Sequence, residues 1–389
     1  MKLSTIVFPI FAVGISLISH AARADKKPGP IPTLPWVHEG TVVTSHWYAA
    51  KLFTKNVTFS QDDNGNWQGS DGKTYSAEVH RNSDAGGFSQ TMVLAIDGDQ
   101  VLLKTTRFGS LMGGDPSRSA PDHGGEVRFL ASATQNNFCE SPDLLAKAVS
   151  DPQRHILVRR VAWPMGGQVI DAVRVDKISP AERLCIVYDR KTGMGLHLSS
   201  VSSTGADSGS ILMEYDLVNH RDVQVPWANE AIPPAVKNLK SLRLAGRIVQ
   251  EGPFAVRPTS LAIDLTADSA ADKWMVFTSV GSAQLPGLGR TVAAAPVQKI
   301  YGSCEFGGLW IGPAAAAHLQ QGQVLDEDPI TKMKTVVSRI DNNEVAITQS
   351  NQSTTVTNTY DRSTGLLSGT DWFDAMTKFH TTMKREDVK

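Results

Sequence analysis

Cysteine is scarce in this sequence, and neither sign of charge is in excess. The 389 residues include three cysteines, 38 Lys plus Arg and 39 Asp plus Glu. This balance excludes the basic footprint of a nucleic-acid-binding protein and the acidic composition of a solvating tail. Three cysteines with no CxxC spacing exclude a disulfide-dense miniprotein, a zinc ribbon and a thioredoxin-like redox site. With 41% apolar residues, the chain can bury a sizeable core.

The sequence also lacks the usual signatures of catalytic and nucleotide-binding sites. It contains no HExxH, no GxSxG, no P-loop and no strand-linked GxGxxG. The Ser/Gly-rich loop at 206–210 differs from the nucleophile loop of trypsin-like proteases at its first and last positions. Residues 62–66 alternate oxygen ligands as calcium loops do, but their Gly and the distal Glu do not fit, which favours a hairpin turn. The sequence therefore predicts no cofactor, no metal and no catalytic residue, and it argues against an enzyme.

The N-terminus has the pattern of an export signal. Lys2 precedes an apolar run at 6–18, and Ala22-Arg23-Ala24 has the small-x-small form that signal peptidase cleaves. We predict a signal peptide at 1–24, cleaved after Ala24, and an extended Pro-rich leader at 25–35. No later run reaches the ~18 apolar residues of a membrane helix. We therefore expect a periplasmic or secreted protein without a membrane span.

Turn signals at short intervals predict an antiparallel β protein. Asp97-Gly98-Asp99 lies between β-branched runs at 92–96 and 101–106, and similar runs occupy 345–348 and 354–360. Short helices are expected at 142–149 and 313–320, each with Pro near its start. A longer one is expected at 372–383, where apolar residues recur at helical spacing. The predicted fold class is mainly β, with few helices and a C-terminal helix.

Three local matches, in the same order in both halves, indicate an internal duplication. They are Tyr188 to Gly193 with Tyr360 to Gly365, Gly167 to Asp171 with Gly322 to Asp326, and Cys139-Glu140 with Cys304-Glu305. The repeated Tyr-Asp-Arg-x-Thr-Gly has the composition of a structural turn, with Gly in the left-handed position. We predict tandem β-rich domains at 36–224 and 235–389, joined by a linker at 225–234.

Strand-turn-strand units with few helices behind an export signal resemble periplasmic carriers of the lipoprotein-localisation type. In those carriers a half-barrel holds an apolar ligand. The resemblance lies in pattern and export, and no functional residue is carried over from it.

The leading functional prediction is a non-catalytic periplasmic binding or carrier protein for an apolar small molecule or an envelope protein. Exposed hairpin edges could also accept a strand from a partner. Two alternatives stay open. One is a secreted hydrolase whose site is assembled only in three dimensions, with carboxylates such as Asp171 or Asp326 among the candidates. The other is an envelope assembly factor.

An oxidising compartment would allow one intramolecular disulfide among the three cysteines. A Cys139–Cys185 bridge would lie within one predicted domain and close a loop of about 46 residues, which stabilises by roughly 4 kcal/mol in the chain-entropy model. A Cys139–Cys304 bridge would instead staple the two domains together. The sequence favours the first pairing, with Cys304 as a buried free thiol.

Overall fold

The structure is a computed structural model, and it is described here for most of the chain. The described residues are 34, 36–52, 59–63, 66–74, 83–97, 100–110, 127–130, 139–178, 182–203, 210–251, 258–284, 291–375 and 377–386. The predicted signal peptide, nearly all of the predicted leader and most of the Ser/Gly-rich loop at 206–210 lie outside these ranges.

Nine strands from the first half of the chain form one antiparallel sheet, and two short strands pair separately. The strands are β1 (Thr41–Leu52), β2 (Phe59–Gln61), β3 (Trp67–Gly69), β4 (Ser83–Asp97), β5 (Gln100–Ser110), β6 (Val127–Leu130), β7 (Ile156–Met165), β8 (Gln168–Ile178), β9 (Glu182–Asp189), β10 (Gly195–Ser203) and β11 (Ser210–Asp222). Their order in this first sheet is β6-β5-β4-β1-β11-β10-β9-β8-β7, and β2 pairs with β3. The mainly antiparallel β class is thus confirmed.

The second half forms another antiparallel sheet from eleven strands. The strands are β12 (Ser241–Gln250), β13 (Thr259–Ala270), β14 (Trp274–Gln284), β15 (Thr291–Ala293), β16 (Val297–Gly302), β17 (Val324–Glu327), β18 (Lys334–Ile340), β19 (Glu344–Ser350), β20 (Thr354–Asp361), β21 (Leu367–Asp374) and β22 (Phe379–Glu386). The order in this second sheet is β15-β14-β13-β12-β22-β21-β20-β19-β18-β17, and β16 also pairs with β14. The two sheets follow the same path, but the second has an extra strand, β17, at one end and two strands, β15 and β16, where the first has β6.

The two sheets also break their register at matching places. Against β5, strand β4 has an extra residue at Leu94, and against β14, strand β13 has one at Asp268. Against β9, strand β10 has an extra residue at Leu196, and against β20, strand β21 has one at Ser368. A β-bulge places one unpaired residue at a defined point of a strand. These matching bulges let the two sheets be compared residue by residue.

This comparison corrects two of the three sequence matches. Tyr188 and Tyr360 occupy corresponding positions on β9 and β20. Asp171 lies on β8, next to β9, whereas Asp326 lies on β17, three strands from β20, so these two do not correspond. Cys139 bridges to Met194 just after the first repeated turn, and the residue that bridges just after the second is Trp310 rather than Cys304. A short sequence identity can arise by chance, whereas strand pairing determines which residues of the two sheets correspond.

In the described part of the chain, three short α-helices and one 3₁₀ turn accompany the sheets. They are α1 (Pro142–Lys147), the 3₁₀ turn Pro152–Arg154, α2 (Pro234–Lys237) and α3 (Pro313–His318). The helices expected at 142–149 and 313–320 are therefore present, each two residues shorter at its end. Both begin with Pro, whose missing N–H costs nothing at that position.

The expected C-terminal helix at 372–383 is wrong. The segment forms the end of β21, a turn and the start of β22, and β22 pairs with both β12 and β21. The Asp374 carboxylate accepts a hydrogen bond from the Thr377 amide, and Lys378 has a positive φ of 59°. A side chain that bonds nearby backbone competes with helix formation, and two neighbouring strands supply pairing that a helical stripe cannot override.

The repeated Tyr-Asp-Arg-x-Thr-Gly segments form matching turns that hold the chain leading into a helix. Gly193 and Gly365 have φ of +73° and +71°. The Gly193 carbonyl accepts the Glu140 amide at 2.7 Å, and the Gly365 carbonyl accepts the Ile311 amide at 2.9 Å. A Cβ at Gly193 would lie 1.8 Å from the Glu140 carbonyl oxygen, and one at Gly365 would lie 2.1 Å from that of Ile311. Glycine is required at both turns by φ and by close approach.

The connection between the two sheets is buried rather than an exposed linker. Trp227 is 1% exposed, and Val225, Ile232 and Val236 are also buried. They pack with β12, β14, β19 and β20 in the large apolar cluster of the second sheet, and this cluster also includes Val42 of β1. The predicted connection at 225–234 therefore contributes to the core.

A cluster of charges joins the two sheets beside this apolar contact. Arg221 on β11 donates from Nη1 and Nη2 to both carboxylate oxygens of Asp326, at 2.6 and 2.9 Å, and from Nη2 to Asp328 at 3.0 Å. Gln90 donates to the same Asp328 oxygen at 2.6 Å. Burial alone would raise the pKa of Asp328, but hydrogen bonds from the Thr331 amide and Gln90, with the charge of Arg221, hold that pKa below its ordinary value.

We predict that Gly193→Ala and Gly365→Ala each lower the free energy of unfolding by roughly 3 kcal/mol or more, because positive φ and backbone overlap add. Gly322→Ala is the matched control. Its φ is +83°, but a Cβ there meets no atom within 4 Å, so the strain of φ alone should cost about 1 kcal/mol. Urea unfolding measures all three. Equal losses at the three positions would contradict the close approach.

We predict that Asp328→Asn lowers the free energy of unfolding at neutral pH by about 2 kcal/mol, since Arg221 loses a buried ionic partner. A carboxyl with a lowered folded pKa stabilises fully above its unfolded pKa and loses this effect as pH falls through the folded value. The difference between wild type and variant should therefore shrink under acid. Asp264→Asn is the control, since its pair with Arg243 is exposed and should contribute nothing measurable. A difference that is independent of pH would count against this account.

Candidate functional site

The inner face of each sheet, defined as the face that carries Tyr188 or Tyr360, is filled differently in the two halves. In the second sheet it forms one continuous apolar cluster from β14 through β12 to β19. In the first sheet it is divided into two. One cluster around Val43, Val93 and Cys139 lies at β1, β4 and β5, and the other around Ile186 and Tyr188 lies at β8, β9 and β10.

Small polar residues follow the first cluster along β1 and β4, while Leu217 and Tyr215 on β11, between the two clusters, pack against one cluster each. Ser45 on β1 is paired with Ser89 on β4. The matching positions in the second sheet are Leu244 and Ile263, which are also paired. Ser45 stays half-buried on the central strand, whereas Leu244 is buried. The first sheet therefore lacks the side chains that close the core of the second.

The neighbouring positions extend this contrast. Gly87 matches Leu261, and the half-buried Trp47 matches Gly246. In the first sheet the only large side chain at these four positions is the Trp47 indole, which lies beside a floor of Ser and Gly. These positions of the first sheet therefore carry less side-chain volume than their counterparts in the second sheet, with one aromatic ring beside them.

Aromatic side chains stand at both ends of this floor. Trp47 is paired with Tyr215 at one end. At the other end, His220 on β11 packs edge-on against the Trp36 ring at a centroid distance of 5.2 Å. The Trp36 indole donates to the Thr192 carbonyl at 2.7 Å, which fixes that ring. We call the region formed by Trp36, Ser45, Trp47, Ser89, Tyr215 and His220 the inner cleft.

Two buried nitrogen atoms in the inner cleft have no hydrogen-bond partner among the described residues. They are Nε1 of Trp47 and Nε2 of His220. Buried indole N–H groups usually find an acceptor, because an unmade hydrogen bond costs about 1–3 kcal/mol. An oxygen-bearing ligand in the cleft would supply such an acceptor while its apolar part lay against the rings.

The outer face of the first sheet carries buried polar side chains that are paired with one another beside a small apolar cluster. His197 Nδ1 lies 2.6 Å from Asp216, and Arg174 donates to Asp176 at 2.8 Å. Arg174 and His197 are buried there, and the carbonyl of Asp62 on the β2–β3 hairpin accepts from Arg174. Arg174 thus holds the hairpin over the sheet, and the partners of both buried side chains are groups of the chain itself.

All three cysteines are free, buried thiols in the structure, so it does not contain the Cys139–Cys185 bridge expected from the sequence. Cys139 belongs to the inner-face cluster of β1 and β4, whereas Cys185 lies with Val187 in a cluster on the outer side of β9. Burial raises the pKa of both thiols, and it raises the pKa of Cys304 to about 12. Protonated thiols are poor nucleophiles.

The two candidate carboxylates of a hydrolase are not brought together. Asp171 pairs with the exposed Arg190 at 2.8 Å, and Asp326 pairs with Arg221 between the sheets. Asp62 accepts from the Asn66 amide at 2.8 Å inside the β2–β3 turn, as the hairpin interpretation requires. Within the described ranges, no three His, Cys, Asp or Glu side chains gather as a metal site would need.

A second concave region lies at the β19–β20 end of the second sheet. It is a shallow, polar depression lined by Asp341, Glu344, Asp361, Ser368 and Arg385, among others. Asp341 accepts the Glu344 amide at 2.7 Å, and Asp361 accepts the amides of its own turn. The carboxylates of Asp341 and Asp361 therefore serve their own turns, that of Glu344 is paired with Arg339 and Ser368, and the inner cleft is the better candidate site.

Comparison with known proteins gives no family assignment. No family model matches the chain, and no curated protein is found to be similar. Among solved structures, a complex of MucB with the periplasmic part of MucA and a MucA/MucB complex from Pseudomonas aeruginosa each share 9% identity. Each alignment covers 90% of this chain and 89% of that chain, with a TM-score of 0.21.

A protein of unknown function from Nostoc punctiforme, of the DUF3598 family, shares 10% identity. That alignment covers 89% of this chain and 95% of that chain, with a TM-score of 0.15. Scores this low carry no argument about function. In the described part of the chain, no helix has the length and apolar character to cross a membrane.

We predict three free thiols per chain in unreduced protein. Because all three are buried, a thiol reagent should react slowly with the native protein and rapidly in urea. Non-reducing peptide mapping after alkylation in urea counts them directly. A Cys139–Cys185 crosslink would support the sequence-based pairing instead, and would require the inner and outer sides of the first sheet to be arranged differently.

Proposed function

We propose that this protein is an exported, non-catalytic binding protein that holds an apolar ligand in the inner cleft of the first sheet. Export is supported by the N-terminal sequence pattern around Lys2 and Ala22-Arg23-Ala24. Binding is supported above all by one observation. The first sheet has Ser45 and Ser89 where an otherwise matching sheet has Leu244 and Ile263.

The choice of ligand class follows from what lines the cleft. Trp36 and Trp47 offer apolar ring surface, and Ser45 and Ser89 leave room beside it. The unpartnered Trp47 Nε1 favours a ligand with an oxygen acceptor. Pockets of this kind combine apolar walls with a few polar groups that orient the ligand. An amphipathic molecule such as a fatty acid satisfies both requirements.

Ligand binding and the stability of the fold depend on different sheets. The second sheet closes its own core, including buried Leu242, Leu265 and Phe277, and contributes most of the shared apolar cluster. The first sheet can then leave part of its inner face unfilled. At about 25 cal/mol per Å² of apolar surface, the unfilled region becomes a source of binding free energy when a ligand covers it.

We predict saturable binding of a dansylated fatty acid, detected by energy transfer from tryptophan to the dansyl group. The double variant Ser45→Leu/Ser89→Ile copies the packing of the second sheet and should weaken binding by about tenfold or more, because the added side chains occupy the cleft. Trp47→Phe should weaken it by about tenfold through loss of the N–H donor.

Ser260→Leu is the matched control, since Ser260 is exposed on the outer face of the second sheet. It should bind the probe as wild type does. Urea unfolding checks that the double variant is folded. The proposal fails if wild type shows no saturable binding, or if a folded double variant binds as wild type does.

A further inference from the structure

Strand β7 forms one edge of the first sheet and, in the described part of the chain, pairs with a single strand. Its ten residues pair with β8 in continuous register from Ile156 to Met165. No strand in the described part of the chain pairs with its other side. The edge strand at the end of the second sheet, β17, has four residues. β7 is therefore the longer and more regular of these two edges.

The direction of the free backbone groups on β7 follows from their neighbours. The Ile156 amide and carbonyl bond to Asp151, away from β8. The Val158 amide donates to the Ser150 hydroxyl at 2.9 Å, and that hydroxyl lies 3.3 Å from the Val158 carbonyl. Backbone groups of a strand alternate in direction, so those of Arg160 and Ala162 and the carbonyl of Pro164 also point away from β8.

Only the first part of this edge is covered. Asp151 and Ser150 occupy the outward groups of Ile156 and Val158. Arg160 and Ala162 are exposed, and their outward groups have no hydrogen-bond partner among the described residues. Pro164 has no N–H to offer, so the open stretch ends there. This leaves an uncovered template for a short extended segment.

The side chains along the open stretch indicate what would pair with it. Arg160 is exposed and has no ion-pair partner in the described part of the chain, whereas Arg159 on the opposite face is paired with Asp63 and Asp176. Near the hairpin tip, Val169 is 73% exposed beside Pro164, its partner across the strands. The edge thus presents an unmatched positive charge followed by a small apolar patch.

We propose that β7 docks an extended acidic segment of a partner protein, which adds to the first sheet as a further strand. Backbone hydrogen bonds to Arg160 and Ala162 would give affinity. A carboxylate opposite Arg160, with an apolar residue near Pro164 and Val169, would give specificity. A second copy of this chain is the poorer occupant, because β7 contains two arginines and no acid.

This inference is tested on the full-length protein with two capped hexapeptides of alternating Thr and Val. One carries a central Asp, and the other has Lys in its place. The readout is amide hydrogen exchange resolved to single residues. The Asp peptide should slow exchange at Arg160 and Ala162 but not at Val161, whose amide already points towards β8.

Ala162→Pro removes an outward N–H without touching the β7–β8 ladder, and it should abolish binding. Ala162→Val is the matched control that keeps the N–H and should bind as wild type. Arg160→Glu should weaken the Asp peptide by about three- to fivefold, as expected for one exposed ion pair, and should favour the Lys peptide. A circular dichroism spectrum confirms that each variant is folded.

The proposal is overturned if the Asp peptide gives no protection at millimolar concentration. It is also overturned if Asp and Lys peptides protect equally, or if folded Ala162→Pro binds as Ala162→Val does. Protection of Ala162 that rises with protein concentration in the absence of peptide would show that the occupant is a second copy. Fatty-acid binding in the inner cleft is a separate measurement, so its failure leaves this result interpretable.

Discussion

A backbone contact used twice organises both halves of the molecule. In each sheet, the glycine that ends Tyr-Asp-Arg-x-Thr-Gly holds the chain that leads into a short helix, through its own carbonyl and with too little room for a Cβ. The contact fixes how that segment lies against the strands next to Tyr188 or Tyr360. Both tyrosines are fully buried beside it, and in the second half the Tyr360 hydroxyl donates to the Gly308 carbonyl at 3.0 Å. The side chains on the inner face of each sheet pack beside this contact.

Because this backbone contact is the same in both sheets, the side chains on the two inner faces can differ. Leu and Ile at the matching positions of β12 and β13 extend the second core, whereas the first sheet has Ser45, Gly87 and Ser89 at or near these positions and its core is in two clusters. Sheets need one well-buried apolar face to be stable. The second sheet supplies most of that burial and shares its cluster with β1 and the connecting segment. The fold can therefore tolerate a divided core in the first sheet, where we propose that the ligand binds.

The sequence predicts the hairpins and the Tyr-Asp-Arg-x-Thr-Gly turns because their chemistry is local: Asp, Asn and Gly set φ and bond to nearby backbone. It fails where position depends on distant strands. The apolar spacing from Phe373 to Met383 suggested a helix, but β12 and β21 impose a strand. The inner cleft was missed for the same reason. Ser45 and Ser89 are 44 residues apart in sequence, and their lack of bulk has meaning only once they are paired and compared with Leu244 and Ile263.

Apolar and charged groups make different contributions to the contact between the two sheets. Val42, Val223 and Val225 join the second core and contribute burial, which is favourable but not directional. Arg221 reaches two carboxylates, Asp326 and Asp328, from the neighbouring strand edge, and Gln90 shares the second. A buried charge left unpaired costs far more than a paired one gains, so such a cluster disfavours every other docking of the two sheets. The apolar contact accounts for the association of the two sheets, and the charges account for the single way in which the sheets dock. Strand β1 connects this contact to the inner cleft, because Val42 near its start packs in the second core while Ser45 and Trp47 lie in the cleft.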